Sequence, residues 1–332
     1  MSIWEMRGTK HAIQRAQENL EPMPELRQGV FMKLKGEPDD ESGTYTGVAD
    51  ALIANPADMI HHLLRKYGKN VSASNICTSG FGSFTLARTE LDARVTGDFD
   101  IRVRQGKRET VAQVIDRICD QCGLSLIEPL DGVFRLLAWK AAPSGDGYIY
   151  RPAADGGAVQ LSWNTHLLPE SLQVGFTERS KIVNEVYLHW LYNEATKSFD
   201  RLCYVDPNES SPTSASYQTK CSDSQTNYGV EKRMEINVDV HYLETTVEWL
   251  RNWIVDMLST QHVELSFGAK PSVSDLFCKQ VFQMSTDINT FIPWPIKAAG
   301  GSWSGKSLWT EGITRTQPIR GQPEYTIDGL QV

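Results

Sequence analysis

The chain has 332 residues, 40% hydrophobic and 22% charged, the composition of a folded globular protein and not of a disordered one. Its formal net charge of −8 argues against sequence-specific nucleic-acid binding, which wants a basic face. No apolar run approaches the ~18 residues of a membrane span, so no stable membrane insertion is expected, and the start lacks the basic and apolar regions of a secretory signal.

Residues 1–29 are polar, carry Pro22 and Pro24, and read as an N-terminal arm. A first α+β domain is expected over 30–145. It opens with a strand at Val30–Lys35 and an acidic, turn-rich loop, GEPDDESGTYTG, at 36–47. A helix follows at 56–67. Asn55 caps it, Pro56 suits its first position, Met59, Ile60, Leu63 and Leu64 form the stripe, and Gly68 stops it. Between Ile76 and Val103 the runs FGSFTLAR, LDARVTG and DFDIRVR read as short strands punctuated by glycine. The best-defined stretch comes next, from Glu109 to Trp139. Val111, Val114, Ile115, Ile118 and Cys122 fall on one helical face, Thr110 and Gln113 form a capping box, and Gly123 ends the helix. Strands at Leu124–Ile127 and Val133–Trp139 then make a hairpin around Asp131-Gly132.

Gly, Pro and Asp concentrate at 143–147 and 151–157, which marks a boundary. A second, β-rich domain is expected over 146–290, with strands at Ala158–Trp163, Ser171–Phe176, 181–193, FDRLCYV and HVELSFGA. Its polar stretch 206–227 reads as a surface loop. One helix is expected at 243–258, with apolar residues at 243, 247, 250, 254 and 258 and a cap from Thr245 and Glu248. Residues 291–332, rich in Pro, Gly and Trp, read as an extended docking segment.

Few patterns carry chemistry. Gly300 to Ser307 fits the phosphate-cradling G-x-x-x-x-G-K-[ST], but Pro293 and Pro295 spoil the strand before it, and Gly312 and Pro318 break the helix after it. Cys119 and Cys122 sit i, i+3 at a helix C-terminus, where thiolates gain nothing from the dipole, so they read as small core side chains without metal or cluster. The six cysteines are too sparse for a disulfide framework. His61 and His62 diverge by about 100° on their helix and do not share a metal. The acidic loop 39–41 lacks calcium-loop spacing and reads as a solvated turn, and RVRQGKR at 102–108 as a solvated strand end. No catalytic constellation and no cofactor are expected. Trp139, Trp163, Trp190, Trp249 and Trp253 fall in periodic patterns and read as core, whereas Trp294, Trp303 and Trp309 read as anchors at a protein interface.

Three segments carry a family resemblance. Residues 39–68, with the acidic turn, TYTG and NPAD helix, resemble the long-tailed phage tail-tip and baseplate hub family. Residues 109–136 are similar to that family's following helix and DGVFRL hairpin. Residues 181–199, with Asp223-Ser224 and NYGVEKR at 227–233, resemble its N-x-V strand and the Y-G turn before its last helix. The resemblance spans about residues 30–270 and extends to the spike hub of type VI secretion. It implies an α+β, mostly β protein of β-barrel-like hub domains with inserted helices. The expected role is a structural, non-enzymatic virion protein at the tail tip, assembled in the host bacterial cytoplasm. It would be a homo-trimer that links the tail tube to the tip around the DNA channel and serves DNA ejection. Partners would be the distal tail or tube, the tape measure, and a fibre or spike. Little precedes Val30, so a separate chain is expected to supply the first hub domain, and 270–332 departs from the family pattern. Two alternatives remain open: a carbohydrate- or receptor-binding adhesin module, and a cell-wall hydrolase.

Overall fold

The computed structural model describes residues 37–68, 71–103, 109–127, 132–139, 150, 160–162, 165–168, 170–193, 195–209, 214–273, 276, 280–285, 307–316 and 324–331. Among them, ten strands in three sheets and five α-helices make an α+β protein. The sheets are open, and the described strands close no barrel. The expected arm at 1–29, the strand at 30–35, most of the 143–157 boundary and basic residues 104–108 lie outside the described residues.

The first unit packs three helices on a hairpin. In α1 (Pro56–Tyr67) the Asn55 side chain accepts the Ala57 N–H at 2.9 Å, as its position before Pro56 requires. Gly68 ends α1 for a steric reason: its backbone is extended, and a Cβ there would lie 2.2 Å from the Leu64 carbonyl oxygen. Helix α2 (Phe84–Asp92) replaces the strand expected from FGSFTLAR. Ser83 caps it by accepting the Leu86 N–H at 3.1 Å, and Phe84, Ala87 and Leu91 form the buried i, i+3, i+7 face. The glycines before Ser83 hid that short period.

Helix α3 (Val111–Cys122) carries the expected capping box. The Thr110 hydroxyl accepts the Gln113 N–H at 3.3 Å, and the Gln113 carboxamide accepts the Thr110 N–H at 2.9 Å. Gly123 ends it in the left-handed conformation at φ 61° and launches β1 (Leu124–Ile127) against β2 (Arg135–Ala138). Ile60, Leu91 and Ile118 are fully buried at the centre of this core. Each contributes roughly 1.5–3 kcal/mol by leaving water.

The remaining chain builds two sheets. Its elements are β3 (Gln173–Phe176), β4 (Glu185–Asn193), β5 (Ser198–Val205), α4 (Ala215–Tyr228), β6 (Arg233–Val238) and α5 (Glu244–Leu258). Then come β7 (Val263–Ala269), β8 (Val281–Gln283), β9 (Ser307–Thr316) and β10 (Glu324–Gln331). One sheet has the order β5-β4-β6, antiparallel on one side and parallel on the other. Helix α4 makes the crossover that a parallel pair requires. Helix α5 covers Val186, Leu188 and Trp190 of β4 through Val247, Leu250 and Ile254. The other sheet is antiparallel, ordered β3-β7-β10-β9-β8. Val263, Leu265, Phe267 and Ala269 alternate inward along β7.

Further expectations differ from the structure. Most of the polar loop expected at 206–227 is α4, ended by Gly229 at φ 64°. Only Cys221 and Ser224 of that helix are buried. Its apolar period was therefore invisible, and packing on α5 rather than amphipathicity supports it. Residues 291–332 are not only a docking segment, because 307–316 and 324–331 pair as β9 and β10 inside the five-stranded sheet. The expected cap of α5 by Thr245 and Glu248 does not form. Leu243 is the N-cap, without a side-chain bond, while Thr246 donates its hydroxyl to the Leu243 carbonyl at 2.9 Å. Of the expected strand at 158–163 only residues 160–162 are described, and there Leu161 makes an isolated parallel bridge to Met284.

Candidate functional site

The sequence motifs resolve mainly into structural roles. Ser307 opens strand β9, so no helix follows the G-x-x-x-x-G-K-S stretch, whose residues 300–306 lie outside the described residues. Cys119 and Cys122 are buried in the first core. Burial pushes the Cys119 thiol up to about 12 and raises that of Cys122, so neither is a ready thiolate. Among the described residues no group of three or more His, Cys, Asp or Glu side chains could hold a metal ion.

The acidic turn is solvated at Asp40 and Glu41, as expected, but Asp39 is only 4% exposed. Its carboxylate accepts N–H bonds from Asp40 at 2.8 Å, Tyr45 at 3.0 Å and Thr46 at 2.5 Å, and the Thr46 hydroxyl at 2.8 Å. Burial pushes its pKa up, but these bonds outweigh it and leave the group below the usual carboxylate value. The ring of Tyr45 then contacts His61 and His62 edge-on, at 5.0 and 4.8 Å, and seats the turn on α1. Arg88 of α2 ties the same turn down by donating to the Thr46 carbonyl and pairing with Asp58 at 3.3 Å. Burial drives Asp58 up to about 7 despite Arg88, and drives His61 down to about 4.

A second polar knot joins β4 to the turn after α4. Asn184 is fully buried. Its amide donates to the Val230 carbonyl at 2.7 Å and approaches the Ser224 hydroxyl at 3.3 Å, while its oxygen accepts the Lys232 N–H at 2.9 Å. The asparagine of the N-x-V strand thus supplies the partners that the turn around Tyr228-Gly229 lacks.

An aromatic cleft of about 460 Å³ lies between the end of α2, the end of β2, α4 and α5. Helix α5 lines it with Thr245, Glu248, Trp249, Asn252, Trp253 and Asp256. That face is distinct from the Val247, Leu250 and Ile254 face covering the sheet. The Arg94 guanidinium stacks 4.2 Å over Trp249 and donates to the carbonyls of Cys122 at 2.8 Å and Trp139 at 2.6 Å. Ring centroids then step from Trp249 to Trp253 at 6.3 Å, Trp253 to Trp139 at 4.9 Å, and Trp139 to Trp309 at 6.2 Å. Of the three expected interface tryptophans, Trp294 and Trp303 lie outside the described residues. Trp309 is 8% exposed and packs against Met257 and Val281 of this chain. Most of the Trp309 surface is thus covered within this chain. Trp249 and Trp253, expected as core from their period, do pack against the cores, and the same side chains also line this cleft.

No family model matches the chain, and neither does any curated protein. Solved structures with similar folds include a chain of the virion of a native gene transfer agent particle, at 12% identity and TM-score 0.44 over 83% of this chain and 47% of that one. A 43 kDa tail protein of prophage MuSo2 from Shewanella oneidensis matches at 11% identity and TM-score 0.37, over 70% of this chain and 57% of its own. A tail protein from Neisseria meningitidis MC58 matches at 11% and 0.38, over 74% and 65%. This chain thus spans less than two thirds of each solved chain, and at these identities and TM-scores the likenesses carry no functional argument.

Proposed function

We propose that the chain is a structural, non-enzymatic component of a phage-type tail, placed at the tail tip as part of a trimeric hub. The observation that carries this reading is Asn184. The N-x-V strand and the Y-G turn are separate in the sequence but belong to one family pattern, and they are joined through this one buried side chain. The other two motif segments likewise form coherent local units: the Asp39-centred turn on α1, and the capped α3 with its hairpin. In this reading the protein works mechanically, by ring formation, by docking of tube, tape-measure and fibre or spike proteins, and by relaying receptor engagement to channel opening.

The test is solution mass by light scattering together with immunogold labelling of intact particles. A mass near three times 37.3 kDa and label at the tail tip support the hub. Label absent from tails overturns the virion reading, and label along the tube overturns the tip position. Glycan-array binding would favour the adhesin alternative, and clearing of peptidoglycan in a zymogram would favour the hydrolase.

A further inference from the structure

We propose that the tryptophan cleft of α5 binds an extended, proline-containing basic segment of a partner protein. This goes beyond the tail reading and does not depend on it.

Three observations determine the ligand chemistry. First, the indole faces are engaged. Trp249 carries Arg94 at 4.2 Å and Trp253 lies between Trp139 and Trp249, so flat stacking of a sugar ring is disfavoured. What these rings offer is edges, the positive rim of the aromatic quadrupole, which prefers acceptor atoms. Second, the Trp253 indole N–H is withdrawn from solvent and has no hydrogen-bond acceptor among the described residues. A buried donor without a partner is costly, so a small rotation of the ring that presents it to an incoming carbonyl oxygen is favoured. Third, the rim is acidic: Glu90, Glu248 and Asp256 stand against Arg94, whose guanidinium already serves two carbonyls of its own chain. Asp256 is matched by Lys220, whereas Glu248 is half-buried and has no cation partner among the described residues.

Ring edges, an unsatisfied indole donor and an unmatched carboxylate together fit a polyproline-type strand. Such a strand has no internal hydrogen bonds, projects its carbonyls outward, and docks aromatic-lined grooves at low entropic cost. A basic side chain beside the proline then meets Glu248. The acidic rim supplies charge complementarity and a salt-dependent on-rate.

The experiment is fluorescence anisotropy of a labelled peptide of alternating proline and arginine, titrated with the full chain at low and high salt. We expect saturable binding that weakens with salt. Glu248→Gln should weaken it by about fivefold to tenfold, the loss of one charge-assisted contact. Trp253→Phe, which removes the N–H and keeps a ring, should weaken it by a similar factor. Thermal melts check that both variants fold. If Trp253→Phe does not fold, Glu248→Gln and the charge reversal Glu248→Lys decide alone. No saturable binding up to about millimolar peptide, equal binding of a proline–glutamate peptide, or wild-type affinity in both Glu248 variants overturns the proposal. So does quenching of tryptophan fluorescence by a chitooligosaccharide that the peptide cannot reproduce.

Discussion

Replacing Asn184 by alanine tests the fold reasoning most directly. The side chain is fully buried, donates to the Val230 carbonyl at 2.7 Å and accepts the Lys232 N–H at 2.9 Å. Alanine strands one backbone acceptor and one backbone donor. Each stranded group costs about 1–3 kcal/mol when water cannot replace the partner. The expected loss is therefore about 2–6 kcal/mol, read as a shift in the urea midpoint at unchanged slope. At roughly 2–4 °C per kcal/mol for chains of 150–250 residues, the melting temperature should fall by at least several degrees. Asn184→Asp should be worse than alanine, because it keeps the acceptor for Lys232, loses the donor to Val230 and buries a carboxylate. Asn193 provides the contrast. It bonds the Ala195 N–H and Asp200, each at 3.0 Å, but in an exposed turn, so Asn193→Ala should cost no more than about 1 kcal/mol. A loss below about 1 kcal/mol for Asn184→Ala would refute the assignment of this residue as the tie between strand and turn.

Gly123→Ala should destabilise by about 2–3 kcal/mol in a urea titration, because φ is 61° and the new Cβ would lie 2.8 Å from the Trp249 ring. His241 is buried between Thr246 and the Gln121 carbonyl, and burial holds its pKa near 4 against 6.5 in the unfolded chain. The unfolded state therefore binds more protons between those values, so stability is full above about pH 6.5 and falls as pH drops toward 4. His241 should account for a loss of about 2 kcal/mol by pH ~5, and His61 acts in the same direction. His241→Gln should flatten that slope, and an unchanged slope would reject the assignment. Among the described cysteines, Cys77 should react with a thiol reagent in the native state before the buried Cys119, Cys122, Cys203 and Cys221.

The sequence by itself determined the local elements whose signals lie within a few residues. Asn55-Pro56, the Thr110–Gln113 box and Gly123 located two helices to within a residue or two, because caps and stops act on neighbouring backbone groups. Alternation along 263–269 and 185–190 likewise located β7 and β4. Tertiary structure decided the rest. Helix α4 shows almost no apolar period and exists because α5 and Gly229 support it. Strands β9 and β10 were hidden behind a proline- and glycine-rich stretch and become strands by pairing with each other and with β8 and β7. The cleft could not be read from the chain at all. Trp139, Trp249, Trp253 and Trp309 come from a hairpin, a helix and a sheet. Only the packing of those three elements joins three periodic, core-like tryptophans and Trp309 of the tail into one continuous column with an open acidic side. Local backbone chemistry is written in adjacent residues, whereas a surface assembled from distant segments is set by the long-range burial that brings them together.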